Sequence, residues 1–357
     1  MQINKQRLLA GHEYPEKDEE KIAQKIVELL QNQMLRMYSK NGEKQRRQIH
    51  PKMNGCVKAE FIIEKNLPEH LRVGLFKEEK CFPCWIRFSN GDTNPLPDYK
   101  KDIRGLAIKL MNVPGEKIVE SKKNGGNHDF ILMNTKNFVS KKVKHFYKML
   151  QVVTIPRRAS NFLPKLFTLL TNVPIIVRAT KAKIKCDHPF NVSYFSTVPY
   201  RFGDENHAVK YAAIPSEHNK LEYTDKTSED FLRANMAATL SKNEIIYNFF
   251  IQQQEDPVTM PIEDPTVVWS SPFIKMATIR IPVQVFDTPE QNEFGDNLSF
   301  NSWHALPEHR PLGNFNRVRK KIYEDMYDFR HRHNHIKDVE PDANVNFYTG
   351  INIMQHG

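Results

Sequence analysis

Arg319, Tyr323 and Arg330 lie in the stretch PLGNFNRVRKKIYEDMYDFRHRHN, residues 311–334, at steps of four and seven. At the helical period of 3.6 they share one face. A free phenol titrates near pH ~10, and a cation one helical turn away favours its phenolate. A phenolate is a hard anionic ligand for iron(III). An ordinary amphipathic core tyrosine with arginine stems along its edge has the same spacing. Metal chemistry therefore needs a second half of a site from elsewhere in the chain.

Four other stretches offer reactive groups. In RQIHPKMNG, residues 47–55, His50 precedes Pro51, which predicts an extended backbone at the histidine. An imidazole fixed at a barrel mouth serves as general base and then general acid near neutral pH, and Arg47 is an anchor for a carboxylate or phosphate. A His-Pro pair at a strand start is also a common structural feature. In CWIRFSNGD, residues 84–92, period two sends Trp85, Arg87 and Ser89 to one face and Ile86 and Phe88 to the other. An inward arginine in a barrel needs an anion, and the serine hydroxyl can hold one histidine nitrogen in a chosen tautomer; the alternative is an edge-strand arginine in water. KDIRGLAIKL, residues 101–110, has Gly105 where either a close backbone approach or a turn calls for it. KNGGNHDFILMN, residues 123–134, delivers Asn127 and His128 to the start of an apolar strand, where an amide hydrogen-bonds a small polar substrate or caps the turn. CFPC, residues 81–84, has redox spacing without a thioredoxin-like strand-helix context.

The elements that position these groups read as strands with helical insertions. Residues 16–40 are an amphipathic helix with acidic residues in its first turn, followed by the polar basic link SKNGEKQRRQ. From His50 onward VKAEFIIEKNL, CWIRFSN, DIRGLAIKLMNV and DFILMN are strands separated by Pro, Gly, Asn and Asp. Residues 136–180 are helical; strand texture resumes with VSYFSTVPYRF, HAVKYAAIPS, EIIYNFFIQQQ and IKMATIRIPVQVF, with a helix around residues 227–241. After Phe286 the chain is irregular until the Tyr323 helix, and its last residues are a polar tail. About eight strands without regular strand-helix alternation predict an α+β fold with a mainly antiparallel sheet closed into a barrel. The division is an N-terminal helical arm at 1–45, a barrel with helical insertions at 46–290, and a wrapping segment with the tyrosine helix and tail at 291–357.

The 357 residues carry 39% hydrophobic and 26% charged side chains, the balance of a soluble globular protein. The net charge of +10 permits an anionic partner, but the 52 basic residues stand against 42 acidic and read as dispersed. Four cysteines are too few for a disulfide scaffold, and no signal peptide precedes the charged start, so a reducing cytoplasm is expected. No apolar run reaches the roughly 18–20 residues that span a bilayer. The stretch Phe162–Lys185 is apolar, broken by Pro164 and Pro174, and ends in basic residues; it packs on the core or makes a peripheral membrane contact through residues 162–185.

Taken together, these pieces resemble the haem catalase superfamily in order and residue type. RQIHPKMNG is similar to the segment holding the distal histidine, RFS at 87–89 and DIRGLAIK at 102–109 to the next two catalase signatures, and Arg319 to Tyr323 has the Arg-x-x-x-Tyr spacing of the proximal ligand. The resemblance runs from about residue 45 to residue 333 in a chain much shorter than a full catalase. MPIEDPTVVW at 260–269 and HRPLGNFNRVRKKIY at 309–323 resemble the small catalase-related branch, whose members include mini-catalases, organic-peroxide peroxidases and enzymes that rearrange fatty-acid hydroperoxides.

The resemblance implies haem b as cofactor, with Tyr323 as the iron ligand and Arg319 keeping its oxygen ionised. His50 becomes the distal acid-base group, Ser89 orients its ring, and Asn127 supplies a distal amide. Arg47, Arg87 and Arg330 meet the haem propionates, and Phe138 packs on the distal haem face. Two departures are Ile49, where catalases have valine and allene oxide synthases threonine, and Glu324, where catalases usually have proline. Ile49 leans toward peroxide cleavage over dehydration. The implied function is cleavage of hydrogen peroxide or an organic or lipid hydroperoxide, with homo-oligomeric assembly among the expectations. Alternatives are a fatty-acid hydroperoxide isomerase or lyase on the same fold, and a haem carrier or sensor without turnover, against which His50 weighs. A nucleic-acid-binding module rests on charge alone, and nucleic acid is not expected as a partner.

Overall fold

The computed structural model describes residues 8–38, 43–119, 126–154, 162–337, 341 and 344. Parts of the 39–48 link, of the 123–134 glycine turn, of the 136–180 helical region and of the C-terminal tail lie outside the described residues. The strands are β1 (Lys52–Ile63), β2 (Cys81–Asn90), β3 (Arg104–Leu110), β4 (His128–Met133), β5 (Tyr194–Phe195), β6 (Tyr200–Phe202), β7 (Asp204–Pro215), β8 (Ile245–Gln253) and β9 (Phe273–Ile281). They form one sheet in the order β5-β4-β3-β2-β1-β9-β8-β7-β6, and β5 also pairs with β7. That last pairing closes an antiparallel barrel of eight strands, with β6 added at its rim. The expected α+β barrel is therefore present.

The segment VSYFSTVPYRF gives two short strands instead of one. Thr197 between them takes φ 61°, and Ser196 turns its hydroxyl onto the Val198 carbonyl (2.8 Å), so the ladder is interrupted.

The barrel interior is filled by aromatic rings. Phe249 lies 4.9 Å from both Phe61 and Phe130, and Phe130 lies 4.9 Å from Tyr211. Such close-packed rings bury large apolar area and leave no room for a ligand inside the wall. On β2 the inward residues are Ile86 and Phe88, the latter packed on Phe190 and Tyr194. Arg87 and Ser89 point outward. The expectation of an inward arginine is thus reversed: alternation groups the residues correctly, but the aromatic set takes the interior because it is the one that close packing rewards.

Seven α-helices surround the barrel among the described residues: α1 (Glu19–Tyr38), α2 (Val143–Thr154), α3 (Phe162–Thr171), α4 (Val173–Ala182), α5 (Phe231–Leu240), α6 (Pro289–Asn297) and α7 (Asn314–Asn334). Helix α6 stands in the stretch expected to be irregular; Thr288 caps it by accepting from Gln291 N, and Pro289 opens it. Helix α7 starts at Asn314, three residues later than the stretch considered from Pro311, because Gly313 has φ 87°. Its first amides are taken by carboxylates: Gly313 N donates to Glu13 Oε1 (2.8 Å) and Asn314 N to Glu263 Oε2 (3.0 Å). Arg317, one turn on, bridges Glu13, Glu19 and Glu263 at 2.6–2.8 Å. This half-buried network pins the N-terminal segment and α7 together, so α1 and α7 pack as a pair over the barrel's outer wall.

Candidate functional site

A cavity of about 910 Å³, including its open mouth, lies between the outer wall of the barrel and α7. Ser89, Gly105, Ala107 and Ile131 form the barrel side, and Tyr323, Met326, Tyr327 and Arg330 form the helix side. Leu30 and Met34 of α1, the segment Arg47–His50, and Ser299 with Phe300 complete the walls. Six of the nine residues singled out from sequence thus meet at one cavity: Arg47, His50, Arg87, Ser89, Tyr323 and Arg330.

His50 is held by its neighbours against a local preference. Its φ is 60°, left-handed and not extended as its place before Pro51 suggested. Arg87 Nη2 donates to the His50 carbonyl (3.1 Å), and His50 Nδ1 shares a hydrogen bond with Ser89 Oγ (3.1 Å). These tertiary bonds hold the conformation that the local sequence disfavours. Gly105 makes the space: a Cβ there would stand 2.5 Å from both His50 Cε1 and Nδ1. Burial, followed by the charges of Arg87, Arg319 and Arg47, pushes the His50 pKa down to about 3. The imidazole is neutral at working pH and has a lone pair to offer.

Three guanidiniums gather at the cavity's end. Arg87 and Arg330 are buried and Arg47 is partly buried. Their hydrogen bonds run mostly to backbone: Arg330 Nη1 donates to Asp296 O (2.5 Å), Arg47 Nη2 to Leu298 O, and the facing carboxylate is Asp296, 3.5 Å from Arg87. Burial lowers the pKa of all three, Arg330 to about 10, and mutual repulsion adds to the shift in Arg47 and Arg330. Nε of Arg47 and of Arg87 are buried without a hydrogen-bond partner. Buried cations with spare donors and one half-exposed carboxylate form a site for an anion with more than one acidic group.

Three expected residues are elsewhere. Arg319 lies on the Tyr323 side of α7 but rests over the Phe138 ring (5.3 Å), outside the cavity lining; its charge still bears on His50. Phe138 does not face the cavity: it packs on Phe315 (4.4 Å) and Phe146 (5.4 Å), because the chain has by then left β4 and crossed toward α2. Asn127 precedes β4, where His128 pairs with Leu110, while the cavity takes Ile131 and Leu132, opposite Ala107 and Leu106, from the same ladder. Four residue steps, roughly 13 Å along the strand, separate Asn127 from Ile131, the nearest β4 residue of the lining. An amide that sequence reasoning passed over does line the cavity: Gln48 is buried, and both its Nε2 and Oε1 lack a partner. The one signal for it was its position two residues before His50.

The donor chemistry fits a ferric porphyrin. Among the described residues no group of three His, Cys, Asp or Glu side chains could hold a metal ion, so an ion at Tyr323 would have to bring most of its own ligands. Guanidiniums suit the carboxylates such a macrocycle carries. CFPC supplies no rival centre: it lies within β2, and burial raises the pKa of both Cys81 and Cys84.

No family model and no curated protein matches the sequence. Solved structures do. A fungal catalase superposes with a TM-score of 0.63 at 15% identity, over 82% of this chain and 61% of its own. Catalase A from Saccharomyces cerevisiae gives 0.62 at 15% identity, over 92% of this chain and 68% of its own. A bacterial catalase gives 0.59 at 15% identity, over 99% and 69%. The chain thus spans about two thirds of the length of these catalases, and what it shares with them is the fold, a closed eight-stranded antiparallel barrel flanked by helices.

Proposed function

We propose that this chain is a haem-dependent, peroxide-cleaving oxidoreductase of the small catalase-related branch. The observation that carries the reading is the convergence, on one cavity, of a phenol, a neutral imidazole and three guanidiniums short of counter-charge. Tyr323 would hold the iron of haem b, and Arg47, Arg87 and Arg330 would meet the propionates. When bound, the haem supplies a Lewis-acidic, redox-active iron for the O–O bond. His50, with Nδ1–H donating to Ser89, keeps Nε2 free to take a proton from the peroxide oxygen that enters and to return it to the oxygen that leaves. Gln48 replaces Asn127 as the amide beside the histidine. Arg319 acts as a cation near the site, and Phe138 has no distal role.

The cavity lining favours an organic or lipid hydroperoxide as substrate, because Leu30, Met34, Ile49 and Ile131 leave much of it apolar. Hydroperoxide isomerase or lyase chemistry is the second reading, supported by the same lining. Absorption spectroscopy of the purified, haem-supplied protein is the test, followed by turnover of hydrogen peroxide and of a fatty-acid hydroperoxide. A Soret band is expected, lost or weakened in Tyr323→Phe; His50→Ala keeps the band and loses peroxide cleavage. Absence of a Soret band in the haem-supplied wild type defeats the reading.

A further inference from the structure

We infer that the layer formed by α2, α3 and α4 docks the protein on an anionic phospholipid surface. The inference goes beyond the peroxide reading and does not depend on it.

The charge is less dispersed than the totals suggest. Between Asp129 and Asp187 there are twelve lysines and arginines and no acidic residue, so this stretch exceeds the net +10 of the whole chain. The same stretch exposes apolar side chains. Phe167 and Leu170 of α3 are 69% and 66% exposed, and Val153, Val173 and Val177 on the flanking helices are 57%, 48% and 44% exposed. A folded chain ordinarily turns such residues inward, so apolar side chains clustered on one helical layer mark a surface that meets something less polar than water. Several basic residues nearby serve the fold: Lys141, Lys142 and Lys183 pair with Asp264, Glu16 and Asp92. Lys144, Lys148, Lys181 and Lys185 are exposed and have no ion-pair partner among the described residues.

Apolar side chains that enter the acyl boundary, with unpaired lysines beside them, are the chemistry of a peripheral amphipathic contact. Each lysine near an anionic leaflet adds about a fivefold gain in affinity. Among the described residues no helix is long and apolar enough to cross a bilayer, so the contact is with its surface.

The experiment is flotation of the full chain with phosphatidylserine-containing vesicles and with pure phosphatidylcholine vesicles. Binding to the anionic vesicles is expected, and it falls at least about tenfold on the neutral ones or in about 0.5 M salt, where screening shortens to a few ångströms. Phe167→Glu/Leu170→Glu removes the apolar arm of the contact. Reversal of Lys144, Lys148, Lys181 and Lys185 to glutamate independently weakens binding by at least about five-hundredfold, about fivefold for each of the four lysines lost. Both variants alter exposed positions, and circular dichroism with a thermal melt confirms that they fold. Failure of the wild type to bind anionic vesicles, or undiminished binding by both variants, overturns the inference. A vesicle-free assembly that dissociates in Phe167→Glu/Leu170→Glu also overturns it, because a second copy of the chain would then cover the layer.

Discussion

Gly105→Ala tests the geometry on which the distal half of the site depends. The added Cβ would sit 2.5 Å from His50 Cε1 and Nδ1 and 3.0 Å from Ser89 Oγ, whereas ordinary contact begins at 3.4 Å. The imidazole must therefore move by about 0.9 Å, the difference between 3.4 and 2.5. Gly105 has no left-handed φ, so alanine meets no backbone obstacle and the strain falls on the ring. Shifting the ring stretches the 3.1 Å hydrogen bond to Ser89 and moves Nε2 out of line with the bound substrate. A misplacement near 1 Å costs about 10²-fold in rate. The assay is steady-state turnover of a hydroperoxide by the haem-loaded variant, with the Soret band and thermal melt recorded in parallel. The expected result is an intact band, a near-native melt and turnover lowered about a hundredfold. Ser89→Ala, which loses the hydrogen bond but keeps the space, should fall less. If Gly105→Ala turns over at the wild-type rate, the imidazole has no role that depends on its position, and the acid-base assignment is refuted.

Acid should unfold the protein early. Buried His188 and His309 have pKa values pushed down to about 4 and about 3, chiefly by burial, and each accepts a backbone N–H on one ring nitrogen, from Phe190 and from Leu75. A lowered histidine pKa costs nothing above ~6.5, but below it the unfolded chain takes up protons that the fold refuses. At pH 5 the loss is about 2 kcal/mol for each histidine, to be read as a fall in the urea midpoint between pH 7.5 and 5; an unchanged midpoint contradicts it. Arg317→Met leaves Glu13, Glu19 and Glu263 facing one another without their bridging cation and should cost about 3 kcal/mol in thermal or chemical denaturation, with faster proteolysis of residues 8–18. A wild-type melt would show that the network is not what ties the arm to α7. Gln48→Leu removes two buried polar atoms that have no partner, so the haem-free protein should gain about 1 kcal/mol while the loaded enzyme loses turnover. Loss of both stability and turnover would mean that the amide supports the fold instead of the substrate.

Much of the site could be read from the sequence because most of its spacing is short-range. The steps from Arg319 to Tyr323 to Arg330 lie within one helix, and Arg87 and Ser89 within one strand, so period alone groups them. What failed needed information that no local window holds. Alternation could not say which face of β2 is the interior; the aromatic residues of other strands decide that. The placement of Asn127 depends on the register of β3 with β4, fixed along the ladder from the Leu110–His128 pair to the Gly105–Met133 pair, across a long connection. The left-handed His50 is set by bonds to residues nearly forty positions away. By contrast, Thr288-Pro289 was a readable cap, and α6 was missed because the stretch after it is polar.

The location of the cavity follows from the core. An interior packed with Phe61, Phe130, Tyr211 and Phe249 excludes a large ligand, so any chemistry must use the outer wall, where β2 and β3 present Arg87, Ser89 and Gly105. A wall supplies only half a site, and α7 supplies the other half. The two are coupled by electrostatics as well as packing: Arg330 on α7 and Arg87 on β2 both reach residue Asp296, one through its backbone carbonyl and one through its carboxylate. An anion between the guanidiniums would relieve the repulsion that Arg47 and Arg330 now share and would draw helix and wall together. Burial first, and then the charges of Arg87, Arg319 and Arg47, hold His50 neutral. Arg47 and Arg87 thus offer donors to an anion and, on top of burial, help keep the imidazole in the neutral form that a general base requires.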